Sequence, residues 1–204
     1  MNDLHAPFIA ALQANQKVFG IDLTEKNLNN LAVYYELVEK HNALLHLVAP
    51  CSPEEFAVRH VLESLALLEF LPKNAKFADV GAGAGLPSIP CLIVRDDLRG
   101  VLIESKEKKT KFLEESLAAC GLEKRAKVQN KQFEELTNSA GFVTCRALDK
   151  FTTKLPRLLK WAKDSSLLFF GGNNLREALL KSGVKFNQKL MPLSEQRFLF
   201  IARN

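Results

Sequence analysis

Residues 77–90 read FADVGAGAGLPSIP: a short apolar run, then glycines at 81, 83 and 85, then two prolines. A Gly-x-Gly-x-Gly turn lets the backbone approach a ligand closely and aims amide N–H groups at it. Such a turn holds a dinucleotide, a nucleoside triphosphate or S-adenosylmethionine. The triphosphate loop is excluded, because no Gly-Lys-Ser/Thr follows. The dinucleotide loop fits poorly. Its third glycine belongs one position later, inside a helix packed on the strand, whereas Gly85 is followed by Leu86-Pro87 and proline cannot occupy a helix interior. The helix therefore starts near Pro87, which leaves room for a bulky head group.

Two acids bear on the choice. Asp79 stands at the end of the first strand, just before Gly81. Glu104 ends the next strand, roughly 20 residues beyond Gly81, where an acid takes both hydroxyls of a ribose. NAD and S-adenosylmethionine share that ribose. Only the second is cationic, so an acid such as Asp79 favours it. A tight strand-to-helix turn flanked by solvated acids is the bland alternative. The cofactor expectation is S-adenosylmethionine, on Gly81, Gly83 and Glu104.

The rest of the chain must position this turn. Residues 1–70 read as a helical cap. Leu28, Leu31, Tyr35 and Val38 recur at helical spacing, and a second helix starts after Ser52-Pro53 with Ser52 as its N-cap. From residue 71 to 204, short strands alternate with amphipathic segments: KFADV, GVLIE, AKVQN, FVTCR and SLLFF. That alternation predicts an α/β fold, a doubly wound, mostly parallel sheet of about seven strands. GVKFNQKLMPL and QRFLFIARN, with only SEQ between them, predict a C-terminal antiparallel hairpin.

Composition narrows the class. The chain has 204 residues, 47% hydrophobic, with a formal charge of +5, which permits a polyanionic partner without requiring one. Its four cysteines show no CxxC pair, so neither a disulfide framework nor a metal site is expected. No apolar run reaches the roughly 18 residues of a membrane span. The expectation is a soluble, cytoplasmic monomer.

The sequence resembles the glucose-inhibited division protein B family, also called RsmG. DVGAGAGLPSIP carries the likeness, with VRHVLESL upstream and ES, KKTKFL, FEEL and CRA downstream, in order over roughly residues 28–200. The resemblance implies a Rossmann-like class I methyltransferase that moves a methyl group from S-adenosylmethionine to N7 of a guanine in 16S ribosomal RNA. It implies cofactor contacts at Gly81, Leu86, Phe133, Glu134 and Arg146, with Phe133 and Glu134 over the adenine. Several positions depart from the family pattern. His46-Leu47-Val48 replaces Asn-Leu-Thr, Gln132-Phe133 replaces Arg-Ala, and Gly141 replaces an acid. Cys145-Arg146-Ala147 replaces Ser-Arg-Ala, and Gly171-Gly172 stands where a lysine is usual.

N7 of guanine exposes a lone pair and carries no proton, so its methylation needs alignment and no general base. Arg146, at the end of the fourth strand, is the expected catalytic residue, orienting the base or touching a phosphate. Arg59-His60 are expected to line the site. Cys145 raises the thiolate mechanism of pyrimidine methylation, but it lies in a strand run without a Pro-Cys pair and reads as a small apolar residue. Lys106, Lys108, Lys109 and Lys111 read as a solvated helix start. Lys150, Lys154, Arg157, Lys160 and Lys163 trace one helix face and read as a track for the RNA backbone. The rival readings are a methyltransferase of a small molecule or protein, a non-enzymatic ribosome-binding factor, and, more distantly, a NAD oxidoreductase.

Overall fold

The computed structural model describes residues 5–146 and 151–203. Ala147 and Lys150 lie outside them.

Among the described residues seven strands form one sheet: β1 (Lys76–Val80), β2 (Arg99–Ile103), β3 (Ala126–Gln129), β4 (Phe142–Arg146), β5 (Ser166–Gly171), β6 (Phe186–Leu190) and β7 (Phe198–Arg203). Their order is β3-β2-β1-β4-β5-β7-β6. β1 to β5 pair in parallel, and β7 runs antiparallel to both β5 and β6. The central strands β1, β4 and β5 are apolar because both their faces are covered. Alternate residues of β5 feed opposite sides, Leu168 and Phe170 into one core, Leu167 and Phe169 into the other. The C-terminal strands are shorter than the apolar runs suggest. Pro192 has no N–H for the ladder, and residues 191–197 form the connection, with Leu193 at φ 58°.

Helices α5 (Ser88–Val94), α6 (Glu107–Ala119), α7 (Phe151–Trp161) and α8 (Asn173–Lys181) connect the strands. Helices make up most of the described part of the N-terminal 70 residues: α1 (His5–Asn15), α2 (Glu25–Leu45), and a stretch in which α3 (Pro53–Glu55) passes through a π-helical segment, Phe56–Leu62, into α4 (Glu63–Leu65) and a 3₁₀ turn, Ala66–Phe70. Thr24 caps α2 through a reciprocal pair with Asn27, and the Ser52 hydroxyl accepts from the Glu55 amide. Inside this layer Phe8 stacks on Tyr35, ring centroids 4.6 Å apart, and Phe56 packs against Tyr35 at a tilt, 4.9 Å away. They belong to the same core as Leu92, Phe112 and Leu168, so the cap and one face of the sheet share one apolar interior.

The order reverses between β1 and β4, the place where open α/β sheets leave a crevice beyond the carboxyl ends of their strands. The glycine turn leaves β1 at that place.

Candidate functional site

A cleft of about 530 Å³ opens there, within the roughly 300–1,000 Å³ of small-molecule sites. Gly81, Gly83, Leu86, Glu104, Phe133 and Arg146 all line it. Glu134 does not. Its carboxylate lies 3.4 Å from Arg157 on the outer surface.

All three glycines of the turn take the left-handed conformation, with φ of 73°, 53° and 84°. The amides are spent differently from the expectation. Gly81 and Ala82 both donate to the Ile103 carbonyl, at 2.9 and 3.1 Å, and Gly85 donates to Ala82. Gly83 donates to Glu104 Oε2 at 3.1 Å. The turn thus offers a ligand close approach to its backbone more than a ring of open N–H donors. A Cβ on Gly85 would stand 2.4 Å from Ile89 Cδ1, so that glycine serves the packing of α5. A Cβ on Gly83 would meet only the Gly81 carbonyl, at 3.6 Å, and otherwise project into space on the cleft wall.

Glu104 follows β2 and is buried. Its Oε1 accepts from the Lys106 amide at 2.8 Å and its Oε2 from Gly83. Each oxygen keeps a further lone pair, so the carboxylate still has acceptors for two vicinal hydroxyls. Phe133 opens a 3₁₀ turn after β3, and Trp161 holds its ring edge-on at 5.6 Å.

The structure overturns one inference from the sequence. Asp79 is fully buried and is not on the cleft wall. The Ser88 hydroxyl, at the start of α5, donates to its Oδ2, and its Oδ1 has no hydrogen-bond partner among the described residues. Burial pushes its pKa up to about 7, with Ser88 acting in the other direction and Glu104 adding to the rise. Asp79 ties the turn to α5. It supplies no surface charge for a cationic ligand, because its side chain turns beneath the loop.

Arg146 ends β4. Its guanidinium donates to the Arg59 carbonyl at 2.6 Å, to Glu63 Oε2 at 3.2 Å and to Ser64 Oγ at 3.3 Å. It lies over the Phe170 ring, 5.4 Å from the centroid. The Arg59 side chain pairs with Glu55 instead. His60, on the π-helical segment, reaches the cleft. Burial, then the charges of Arg146, Arg59 and Arg197, hold its pKa down to about 3, so the imidazole is neutral at physiological pH.

The basic residues divide differently from their sequence grouping. Lys106, Lys109, Lys131 and Lys154 line the cleft. Lys111 pairs with Glu107 and Arg157 with Glu134. Lys160 is exposed on α7, and Lys163 lies past the helix end at Trp161. Cys145 is buried at 1% exposure within β4, in register with Phe169.

Leu47, Val48 and Ala49 form part of the cleft wall that sequence reasoning passed over. The Asn42 side chain accepts from the Leu47 and Val48 amides at 2.9 and 3.0 Å and fixes this loop. Gly171 has a local cause: a Cβ there would stand 2.6 Å from Leu175 Cδ2.

A second cavity of about 330 Å³ lies beside the first. Phe151, Phe170 and Phe198 give it aromatic walls, and Glu63, Arg146 and Arg197 give it a charged end. Arg146 lines both cavities. Among the described residues no cluster of His, Cys, Asp or Glu could hold a metal ion, and no helix is long and apolar enough to cross a membrane.

Comparison with solved structures finds the same fold in a SAM-dependent methyltransferase of Aquifex aeolicus. The TM-score is 0.57 at 14% identity, over 83% of this chain and 97% of that one. The fold is therefore the Rossmann-like one of such methyltransferases. A ribosomal RNA small subunit methyltransferase G of Nitrosospira multiformis is 40% identical over 125 residues, 61% of this chain and 57% of that one. The chain thus matches little more than half the length of that relative. Its namesake from Neisseria meningitidis serogroup B is 33% identical over 153 residues, 73% of each chain. The family described as rRNA small subunit methyltransferase G matches residues 27–189, which takes in most of α2, the glycine turn, β1 to β5 and most of β6, and the chain belongs to that family, GidB.

Proposed function

We propose that the chain is an S-adenosylmethionine-dependent methyltransferase acting on N7 of a guanine in small-subunit (16S) ribosomal RNA. The observation that carries this reading is the cleft at the β1–β4 switch point, where Gly83 leaves open space beside the spare acceptors of Glu104. The donor set suits an adenosine. Glu104 would take the ribose hydroxyls, Gly81 and Gly83 would lie against the cofactor backbone to backbone, and Leu86 and Phe133 would give the adenine apolar walls. Membership of the GidB family favours ribosomal RNA as the acceptor. The bound cofactor would supply an electrophilic methyl group.

The chain's own task is alignment. N7 has no proton to lose, and the imidazole of His60, whose pKa lies far below physiological pH, offers no charge to the reaction. Arg146, at the cleft end nearest the second cavity, would orient the base. Four lysines on the cleft wall favour a polyanionic acceptor over a small neutral one.

The test is incubation of the protein with labelled S-adenosylmethionine and unmodified small-subunit rRNA, free or in subunits, followed by nucleoside mass analysis. Labelled 7-methylguanosine is the expected product. Another methylated nucleoside would change the target base. Cofactor binding without RNA label would point to a small molecule or protein as substrate. No cofactor binding would leave a ribosome-binding factor.

A further inference from the structure

Glu63 is 1% exposed and carries two arginines from distant parts of the chain. Arg146, at the end of β4, reaches Oε2 at 3.2 Å, and Arg197, just before β7, reaches Oε1 at 2.6 Å. The Arg146 side chain is 14% exposed and that of Arg197 34%, so solvent screens the second far better than the first. A carboxylate this deeply buried is tolerated only when paired, and removing it would strand Arg146 as a buried cation. Glu63 follows directly on the π-helical segment, whose Arg59 carbonyl also receives Arg146. Such segments widen one turn of a helix and are frequent at functional sites. The effect here is to bring a backbone carbonyl and a carboxylate from the cap onto one guanidinium.

We infer that Glu63 is a positioning residue for Arg146: it fixes the guanidinium at the junction of the two cavities and offsets its charge there. The inference rests on the methyl-transfer reading above. In that reaction the N7 lone pair forms the new N–C bond, the C–S bonding pair returns to sulfur, and the positive charge passes from sulfur to the purine. An uncompensated guanidinium beside the base would oppose that transfer, most strongly where water is excluded. With Glu63 in place the buried charge of Arg146 is offset, and the remaining positive charge of the trio rests on Arg197, where water screens it. Glu63 needs no other part in the chemistry, since guanine N7 offers no proton and both its oxygens already accept from arginine.

The test compares wild type, Glu63→Gln, Arg146→Gln and the double variant, with calorimetry of S-adenosylmethionine binding and single-turnover methylation of small-subunit rRNA at saturating concentrations. Glu63→Gln should bind cofactor within about twofold of wild type and lose tenfold or more in single-turnover rate. In the Arg146→Gln background, where no charge remains to be offset, the same change should cost less than about twofold, because its effect travels through Arg146. A second readout is affinity for methylated against unmethylated rRNA. The methylated base is cationic, so Glu63→Gln should weaken binding of the methylated RNA threefold or more relative to the unmethylated, whereas a purely structural defect would weaken both alike. If Glu63→Gln does not fold, Glu63→Asp keeps the charge at shorter reach and should show a smaller loss that also disappears beside Arg146→Gln. Full rate in Glu63→Gln, or losses that simply add in the double variant, would overturn the inference while wild-type activity stands. A wild-type protein that transfers no methyl group to rRNA would overturn the reading and this inference together.

Discussion

The Tyr34 hydroxyl donates a 2.7 Å hydrogen bond to the Ala84 carbonyl, joining the middle of helix α2 to the glycine turn 50 residues away. Tyr34 is fully buried, so the bond has no competing water, and it reaches the one segment that the cofactor reading depends on. The cap therefore does more than cover the sheet. It sets the height of the turn from below.

Tyr34→Phe tests that coupling. Losing the hydroxyl strands a buried carbonyl, which costs about 1–3 kcal/mol. Urea unfolding should show a loss in that range, and calorimetry should show S-adenosylmethionine affinity reduced several-fold. A stability loss with unchanged affinity would mean that the glycines and Glu104 hold the turn without help from the cap.

Gly83→Val should abolish cofactor binding. The position has φ 53°, which a β-branched residue rarely adopts, and the added carbons would project where the cofactor must lie. Gly141→Ala is the control, because a Cβ there meets nothing within 4 Å and φ is not left-handed. Isothermal titration of both variants decides the matter. Undiminished affinity in Gly83→Val would remove the turn from the site.

Much of this site is legible in the sequence because its signals are local. The turn, Glu104 at the strand end and the alternation of short strands with helices are all written within a few residues of where they act, and period and turn chemistry report such features directly. Asp79 misleads for a physical reason. Sequence places it at a strand end, but only packing decides that its side chain turns under the loop to Ser88. Glu63, Tyr34 and Leu47 escape a sequence reading because each acts on distant parts of the chain, through contacts that no periodicity encodes. The basic stripe is half legible: residue spacing puts Lys154 and Lys160 on one helix, but cannot foresee that Glu134 occupies Arg157 or that the helix ends at Trp161.

Asp79 gives the fold a particular response to pH. Burial raises its pKa to about 7, against roughly 3.9 in an unfolded chain. Between those values the native state holds a proton that the unfolded state has released. This group's contribution to stability is therefore complete below about pH 4, shrinks as pH rises towards 7, and is constant above that. Asp79→Asn removes the titration and keeps the shape. Relative to wild type it should gain on the order of 2–3 kcal/mol between pH 5 and pH 8, since a proton held across one pH unit is worth about 1.4 kcal/mol. Urea midpoints for both proteins at the two pH values measure this. A difference that does not change with pH would show that Asp79 ionises in the native state as freely as in the unfolded one.

The last prediction separates phosphate binding from base orientation. Lys154 lines the cleft and Lys160 is exposed about 1.7 turns further along α7, so a strand that leaves the cleft along this helix would pass both. Arg157, between them, is committed to Glu134 and should contribute less. Each phosphate that a substitution leaves without its lysine should lower the slope of log K against log salt by roughly 0.7–0.9. Lys154→Ala and Lys160→Ala should each weaken RNA binding and flatten that slope, with turnover at saturating RNA little changed. Arg146→Ala should do the reverse, depressing turnover far more than affinity, because its guanidinium sits at the junction of the two cavities and not on the outer track. One rRNA fragment, titrated across a salt series and followed by single-turnover methylation, supplies both numbers. Unaltered salt slopes in both lysine variants would make this face of α7 an ordinary solvated surface. The RNA would then have to approach over Lys106, Lys109 and Lys131 on the other lip of the cleft, where the matching alanine variants should flatten the slope instead.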